Sequence, residues 1–166
     1  MARGGEEAAT AVDLTVADYR ALAAFRYELR RFLRVSEQLI RAAGLEPQHY
    51  LLLLALRALP AGEPATIGHL AERLQIAHHS AVGLIDRAVR RGLVRRARDA
   101  GDRRRVLLQL TAEGEAALRA LALRHREALR AAAPDLMRAL GRLLAPADDP
   151  GRDRAGAGGA PRDGAR

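Results

Sequence analysis

The sequence predicts a mainly α-helical protein carrying one small β hairpin, and three observations lead there. Hydrophobic residues make up 49% of the chain, much of it Ala and Leu, while aromatics reach only 3%; Ala and Leu favour helices, and β-branched residues are scarce outside a few short runs. Apolar residues recur three and four apart along extended stretches, the period of a helix face. Two short runs, Leu93–Arg96 and Val106–Leu110, read as strands, and the segment RDAGDRRR between them is charged and turn-rich. A chain of 166 residues is long enough to bury a core without staples, so one domain with frayed ends is expected.

The first helix runs from about Ala17 to Ala42. Its residues Leu22, Phe25, Leu29, Phe32, Ser36 and Leu39 form a heptad-like seam, and Gly44 suits the residue just past its end. Pro47 opens the second helix, which continues through the apolar run YLLLLAL and stops before Pro60. Apolar character on nearly every face predicts burial on several sides. Pro64-Ala65-Thr66 can form a short extended piece, after which Thr66 suits the N-cap of a third helix, Ile67–Leu74. A fourth helix spans about His79–Arg91 and is closed by Gly92. After the hairpin, Thr111 caps a long fifth helix with Leu118, Leu121 and Leu129 on one face. Pro134 is expected to break it and to start a sixth helix ending near Leu144.

Helix, short turn, helix, then a hairpin with a basic tip is the layout of a winged helix-turn-helix, with a wing of two to three strands. The expected organisation is a flexible N-terminus (1–16), an N-terminal dimerisation helix (17–46), the winged helix-turn-helix (47–111), C-terminal dimerisation helices (112–145) and a disordered tail (146–166). From Ala147 that tail is rich in Gly, Pro, Asp and Arg, too polar to offset its ordering entropy. The long flanking helices have stripes that one chain of this size covers only in part, so a second copy is expected to bury the rest.

The formal charge is +8, and all 28 basic residues are Arg. Compositional bias accounts for Arg in place of Lys but not for clustering. Between Arg87 and Arg105 nine arginines face only Asp99 and Asp102, a local charge of +7. Such a segment points to phosphates, against the plainer reading of a solvated charged face. On the fourth helix, Ile76, Ala81, Ile85, Ala88 and Val89 supply packing positions. His78, His79, Ser80, Gly83 and Arg87 are the candidate recognition positions, since the N-terminal part of such a helix enters the major groove. His78 and His79 can equally be an exposed cap pair. They do not make a metal site, because adjacent helical residues do not share a face and no Cys or carboxylate completes a ligand set. Candidate wing contacts are Arg98, Asp102, Arg103, Arg104 and Arg105, with Gly101 permitting the turn and Asp102 read as an internal salt-bridge partner. Thr66, Arg95 and Arg96 are candidate phosphate contacts.

The run GLVRRARDAGDRRRVLLQLTAEGEAAL resembles the wing of the MarR family. The family pattern appears as Gly92-Leu93-Val94-Arg95-Arg96, then Asp102-Arg103-Arg104, then Leu110-Thr111-Ala112-Glu113-Gly114. Upstream, IGHLAERLQIAHHSAVGLIDRAVRRGLV resembles the family's helix-turn-helix, and the likeness covers about residues 17–145. Val82 and Gly83 stand where many members carry Thr or Ser and a longer polar residue. The resemblance implies a homodimer held by the terminal helices and bound to a palindromic operator in double-stranded DNA. It further implies a repressor released by a small-molecule effector such as an aromatic acid, with Asp102 paired to an Arg and Arg104 as a minor-groove finger. Phe25, Arg26, Tyr27, His49 and Tyr50 fall in segments that can line an effector cleft, or are packing and surface residues; the effector residues stay unassigned.

Other classes fit less well. With no Cys, disulfides, thiolate metal sites, cysteine catalysis and peroxide sensing through Cys are excluded. There is no Gly-rich phosphate loop, zinc-type spacing or nucleophile elbow around Ser36 or Ser80, so no enzyme, catalytic residue, metal or cofactor is expected. The segment Arg87–Arg105 holds no aromatic residue, unlike readers of single-stranded RNA. No signal peptide is visible, and the longest apolar run, Tyr50–Leu56, is too short to span a bilayer; a cytoplasmic protein without membrane partners is expected. The alternative function is a helical nucleic-acid or protein interaction module without effector control.

Overall fold

The computed structural model describes residues 14–99, 101 and 105–145. In them five helices and a two-stranded sheet follow in order: α1 (Val16–Ala42), α2 (Pro47–Arg57), α3 (Ile67–Leu74), α4 (His78–Arg90), β1 (Val94–Arg98), β2 (Val106–Leu110) and α5 (Ala112–Leu144). The disordered tail expected over 146–166 and most of the flexible N-terminus expected over 1–16 lie outside the described residues.

Local chemistry sets the ends of these elements. Thr15 and Asp18 bond reciprocally at the start of α1: the Thr15 N–H donates to Asp18 Oδ2 at 2.8 Å and the Asp18 N–H to Thr15 Oγ1 at 3.2 Å, a capping box. Three helices end in the same way. At α1, Gly44 (φ 73°) donates to the Arg41 carbonyl and Leu45 to that of Ile40. At α4, Gly92 (φ 69°) donates to Val89 and Leu93 to Ala88. At α3 the left-handed residue is Gln75 (φ 54°), which donates to Glu72, while Ile76 donates to Ala71. Each is the double bond of a Schellman motif, and each places an apolar residue, Leu45, Leu93 or Ile76, immediately after the turn.

The chain divides into two compact units, one of residues 32–131 and one built from the described parts of 1–31 and 132–166. The core of the first gathers Leu52 and Leu53 from α2, Leu70 from α3, Ala81, Leu84, Ile85 and Ala88 from α4, Val94 and Leu108 from the sheet, and Leu118 and Leu121 from α5. Burying each of the large side chains contributes about 1.5–3 kcal/mol. β1 and β2 pair antiparallel in the register Val94↔Leu110 through Arg98↔Val106. The extended piece at Pro64–Thr66 adds one bond to this sheet, from the Leu108 N–H to the Ala65 carbonyl at 2.9 Å; among the described residues the wing is two-stranded. In the second unit Ala21 and Ala139 are buried and Arg31 pairs with Asp135 at 3.5 Å.

Two expectations, on Pro134 and on the first strand, are corrected. Pro134 does not break the chain: α5 is one helix of 33 residues with Pro134 inside it, so there is a single C-terminal helix where two were expected. Proline costs the bond to the Arg130 carbonyl, but stopping there would leave a whole set of terminal carbonyls and N–H groups unpaired. α2 buries His49, Tyr50, Leu52 and Leu53 and leaves Leu51 and Leu54 43% and 40% exposed. On α5 Leu118 and Leu121 enter the core while Leu129 is 47% exposed. The first strand is Val94–Arg98 rather than Leu93–Arg96, because Leu93 completes the turn that ends α4.

Candidate nucleic-acid interface

The basic segment occupies α4, the turn after it and the hairpin. α4 begins after Ala77, whose side chain cannot accept a hydrogen bond, so its first-turn N–H groups keep their positive end toward solvent. His78, His79 and Ser80 surround that end and are exposed. Gly83 lies half-buried one turn further on. A Cβ there would meet only Arg87 Nη1, at 3.5 Å, so internal packing does not demand glycine. Arg87 and Arg90 are exposed along the same helix. Arg91 is used structurally, its Nη2 donating to the Gly44 carbonyl at 2.5 Å.

On β1, Val94 faces the core while Arg95, Arg96 and Arg98 are exposed. Arg96, read from the sequence as a phosphate contact, donates to Asp86 Oδ1 of α4 at 2.5 Å. At the start of the loop Asp99 organises the turn: its N–H donates to the Arg105 carbonyl at 3.0 Å and its Oδ1 accepts from the Gly101 N–H at 2.9 Å. Arg105 also approaches Asp99 Oδ2 at 3.7 Å. Asp102, Arg103 and Arg104, and with them the minor-groove finger and the Asp102 pairing, lie outside the described residues. Thr66 is the N-cap of α3, its Oγ1 accepting from the His69 N–H at 3.3 Å.

The hairpin is tied to the body at its base. Thr111 Oγ1 donates to the Gly92 carbonyl at 2.5 Å and accepts from the Gly114 N–H at 3.0 Å, while the Thr111 N–H donates to the Leu93 carbonyl at 3.1 Å. One threonine thus caps α5 and holds the turn that separates α4 from β1. The sequence reading missed the Asp86–Arg96 and Arg91–Gly44 contacts. Asp86 carried a usable signal, since it is the single acid in α4; Arg91 carried none, because its partner is a backbone carbonyl.

A polar pair of rings joins α2 and α5. Tyr50 stacks on His125 with centroids 4.4 Å apart. His125 Nδ1 lies 3.0 Å from the Leu121 carbonyl, which can only accept, so Nε2 is the nitrogen that accepts from Ser36 Oγ at 2.7 Å. Burial raises the Tyr50 hydroxyl above its ordinary range. His49 is 1% exposed and neither ring nitrogen meets a protein hydrogen-bond partner. Burial holds its pKa below the usual histidine value; Glu46 opposes the shift, and Arg91 and Arg87 add to it. Of the five residues that could line an effector cleft, Tyr50 and His49 are therefore packed inside, and Phe25, Arg26 and Tyr27 belong to the other unit. There Tyr27 borders a shallow pocket of about 160 Å³ with Glu28 and Arg138. A cavity of about 280 Å³ opens instead beside the end of α1, lined by Ala42, Ala43, Leu45, Ala117, Leu121 and Arg124 among others. No group of three or more possible metal-ligating His, Asp or Glu residues occurs among the described residues, and no helix among them is long and apolar enough to cross a membrane.

Residues 43–105 match the model of the MarR family, and no curated protein matches the sequence. Solved structures share the fold. The MarR family transcriptional regulator AbsC from Streptomyces coelicolor is 24% identical, with 80% of this chain and 92% of that one covered and a TM-score of 0.65. CouR from Rhodococcus jostii, bound to p-coumaroyl-CoA, is 21% identical over 79% of this chain and 95% of its own, with a TM-score of 0.59. A mutant of S. aureus MepR bound to an oligodeoxyribonucleotide is 22% identical over 74% of this chain and 84% of its own, with a TM-score of 0.57. The family match falls on the helix-turn-helix and most of the wing, and the fold extends over most of the chain: residues 43–105 carry the pattern of the MarR family, set in a chain with the winged-helix fold of those solved structures.

Proposed function

We propose that the protein is a dimeric transcription regulator that binds double-stranded DNA, represses from a palindromic operator and is released by a small organic acid. The observation that carries the DNA reading is the run of exposed arginines, Arg87, Arg90, Arg95, Arg98 and Arg105, on a helix with an uncapped N-terminus and the hairpin that follows it. The dipole end can receive a phosphate and the arginines can release counterions along a duplex. MepR, of the same fold, is seen with DNA.

For the dimer, the support is the apolar seam of α1, where Leu22 and Leu29 stay 44% and 37% exposed, together with Met137 and Leu144 of α5, each 73% exposed. For the effector, the 280 Å³ cavity has alanine and leucine walls and a single guanidinium, Arg124, which suits a small apolar body bearing one carboxylate. CouR carries an acyl-CoA. The sequence candidates His78, His79, Ser80, Gly83 and Arg87 are the proposed base-reading set, and Thr66 and Arg95 the proposed phosphate set; Arg96, the third phosphate candidate, has its guanidinium on Asp86 instead.

The test is binding to a labelled duplex from upstream of the protein's own gene, across a salt series, with scrambled duplex as competitor. Salt-sensitive binding that survives the competitor, with two half-sites protected about one helical turn apart, is the expected result. Equal affinity for both duplexes would leave a general DNA-binding module, and no binding at low salt would end the DNA reading.

A further inference from the structure

We propose that Asp86 and Arg96 form a brace between helix α4 and wing strand β1, and that Asp86 is a positioning residue for sequence-specific DNA binding; this rests on the DNA reading above. Asp86 is the one acid in α4. It sits half-exposed on the helix between Gly83 and the exposed Arg87 and Arg90, where a free carboxylate would repel a phosphate backbone. Its Oδ1 accepts from Arg96 Nη2 across ten residues of sequence, a hydrogen bond between two ionised groups.

The geometry around the pair explains what it adds. α4 and β1 are joined only by the tight turn at Arg91–Gly92–Leu93, and beneath them Ile85, Ala88 and Val94 are buried. Apolar packing at the base fixes the distance between the elements but not their mutual tilt, because such contacts are non-directional. The Asp86–Arg96 bond lies outside that packed base, with both side chains about 40% exposed, and it is directional. Exposed pairs of this kind add little to stability, so its effect falls on the angle at which β1 leaves α4. Two elements that read a duplex together must meet it in one register, and this bond sets theirs. Arg96 at once neutralises Asp86 and holds the strand.

The two possible effects of Asp86→Asn have opposite signs, which makes the test sharp. The substitution raises the positive charge of the face, so charge alone tightens binding to any duplex. Loss of the brace weakens binding to a specific duplex. The experiment takes duplexes selected by the wild-type full chain from a random-sequence pool, with a scrambled duplex as control. Asp86→Asn is expected to lose about tenfold on the selected duplex while binding the scrambled one at least as tightly. Arg96→Gln loses on the selected duplex as well, and the exchange Asp86→Arg with Arg96→Asp recovers most of the affinity. Thermal melting of each variant monitors the fold, and hydroxyl-radical footprints should show the protection beside the major-groove contact fading first. Asp86→Asn binding the selected duplex as tightly as wild type, or an exchange variant no better than the single ones, overturns the brace while leaving DNA binding intact. A wild-type chain that selects no sequence removes both.

Discussion

Gly114 lies against the carbonyl oxygen of Leu93, so near that a Cβ at position 114 would overlap it. The contact joins the first turn of α5 to the residue between α4 and β1, and Thr111 bonds to both sides of it. Backbone, not a flexible side chain, stands in the way, so relief requires moving the hairpin base. Gly114→Ala should therefore destabilise the protein by about 1–3 kcal/mol, read by urea unfolding. Gly141→Ala, also in α5 but with nothing within 4 Å, should stabilise it by about 0.5–1 kcal/mol from helix propensity. Equal effects at the two sites would show that the Leu93 contact is not what requires glycine.

The turn between α3 and α4 rests on Gln75 at φ 54° and ψ 43°, a conformation that a side chain with a Cβ adopts at a cost. The neighbouring Schellman turns use Gly44 and Gly92. Gln75→Gly should raise stability by about 0.5–1 kcal/mol, since it removes that strain and gives back part of the gain in the unfolded chain. A drop in stability would mean that the Gln75 side chain contributes contacts that outweigh the strain.

These two positions also show how far the sequence was readable. Gly44, Gly92, Thr66 and Thr111 announced their turns and caps because their chemistry is local, and all four act as expected. Gln75 gave no such sign; the left-handed turn there is forced by packing Ile76 after α3. Pro134 signalled a break that the long flanking helix overrides. The charge cluster was plain from composition, whereas the sorting of its members was not: Arg91 is tied to the Gly44 carbonyl at the end of α1, and Arg96 to Asp86 across the chain reversal at Gly92. Within the apolar run of α2 nothing told Leu52 and Leu53, which are buried, from Leu51 and Leu54, which stay exposed, because periodicity cannot say which faces of an apolar helix find a neighbour.

His49 predicts a pH dependence. It is buried without a protein hydrogen-bond partner, and burial, with Arg91 and Arg87, disfavours its charged form in the folded state. The unfolded chain then binds the proton more readily, so His49 leaves stability intact above its ordinary pKa of about 6.5 and lowers it as pH falls below that value. His49→Leu should flatten the fall in unfolding free energy between about pH 6.5 and 5 and cost little at pH 7.5, because an unpaired polar group is exchanged for an apolar one. Parallel profiles for the two proteins would exclude His49 as the source.

The arginines should separate by the slope of affinity against salt. Arg95 is exposed on β1, opposite Gln109, and stands among the proposed phosphate contacts. Removing one neutralised phosphate changes the slope of log K against log salt by about 0.9. Arg95→Gln should therefore bring a drop of that size, with loss of affinity on every duplex alike, since a phosphate contact carries no base information. Arg41, whose guanidinium already faces Glu37 at 3.4 Å, supplies the control: Arg41→Gln should leave the slope unchanged. If Arg95→Gln weakens one duplex and spares another, Arg95 reads bases and belongs with Arg87; if the slope does not move at all, β1 does not meet the backbone.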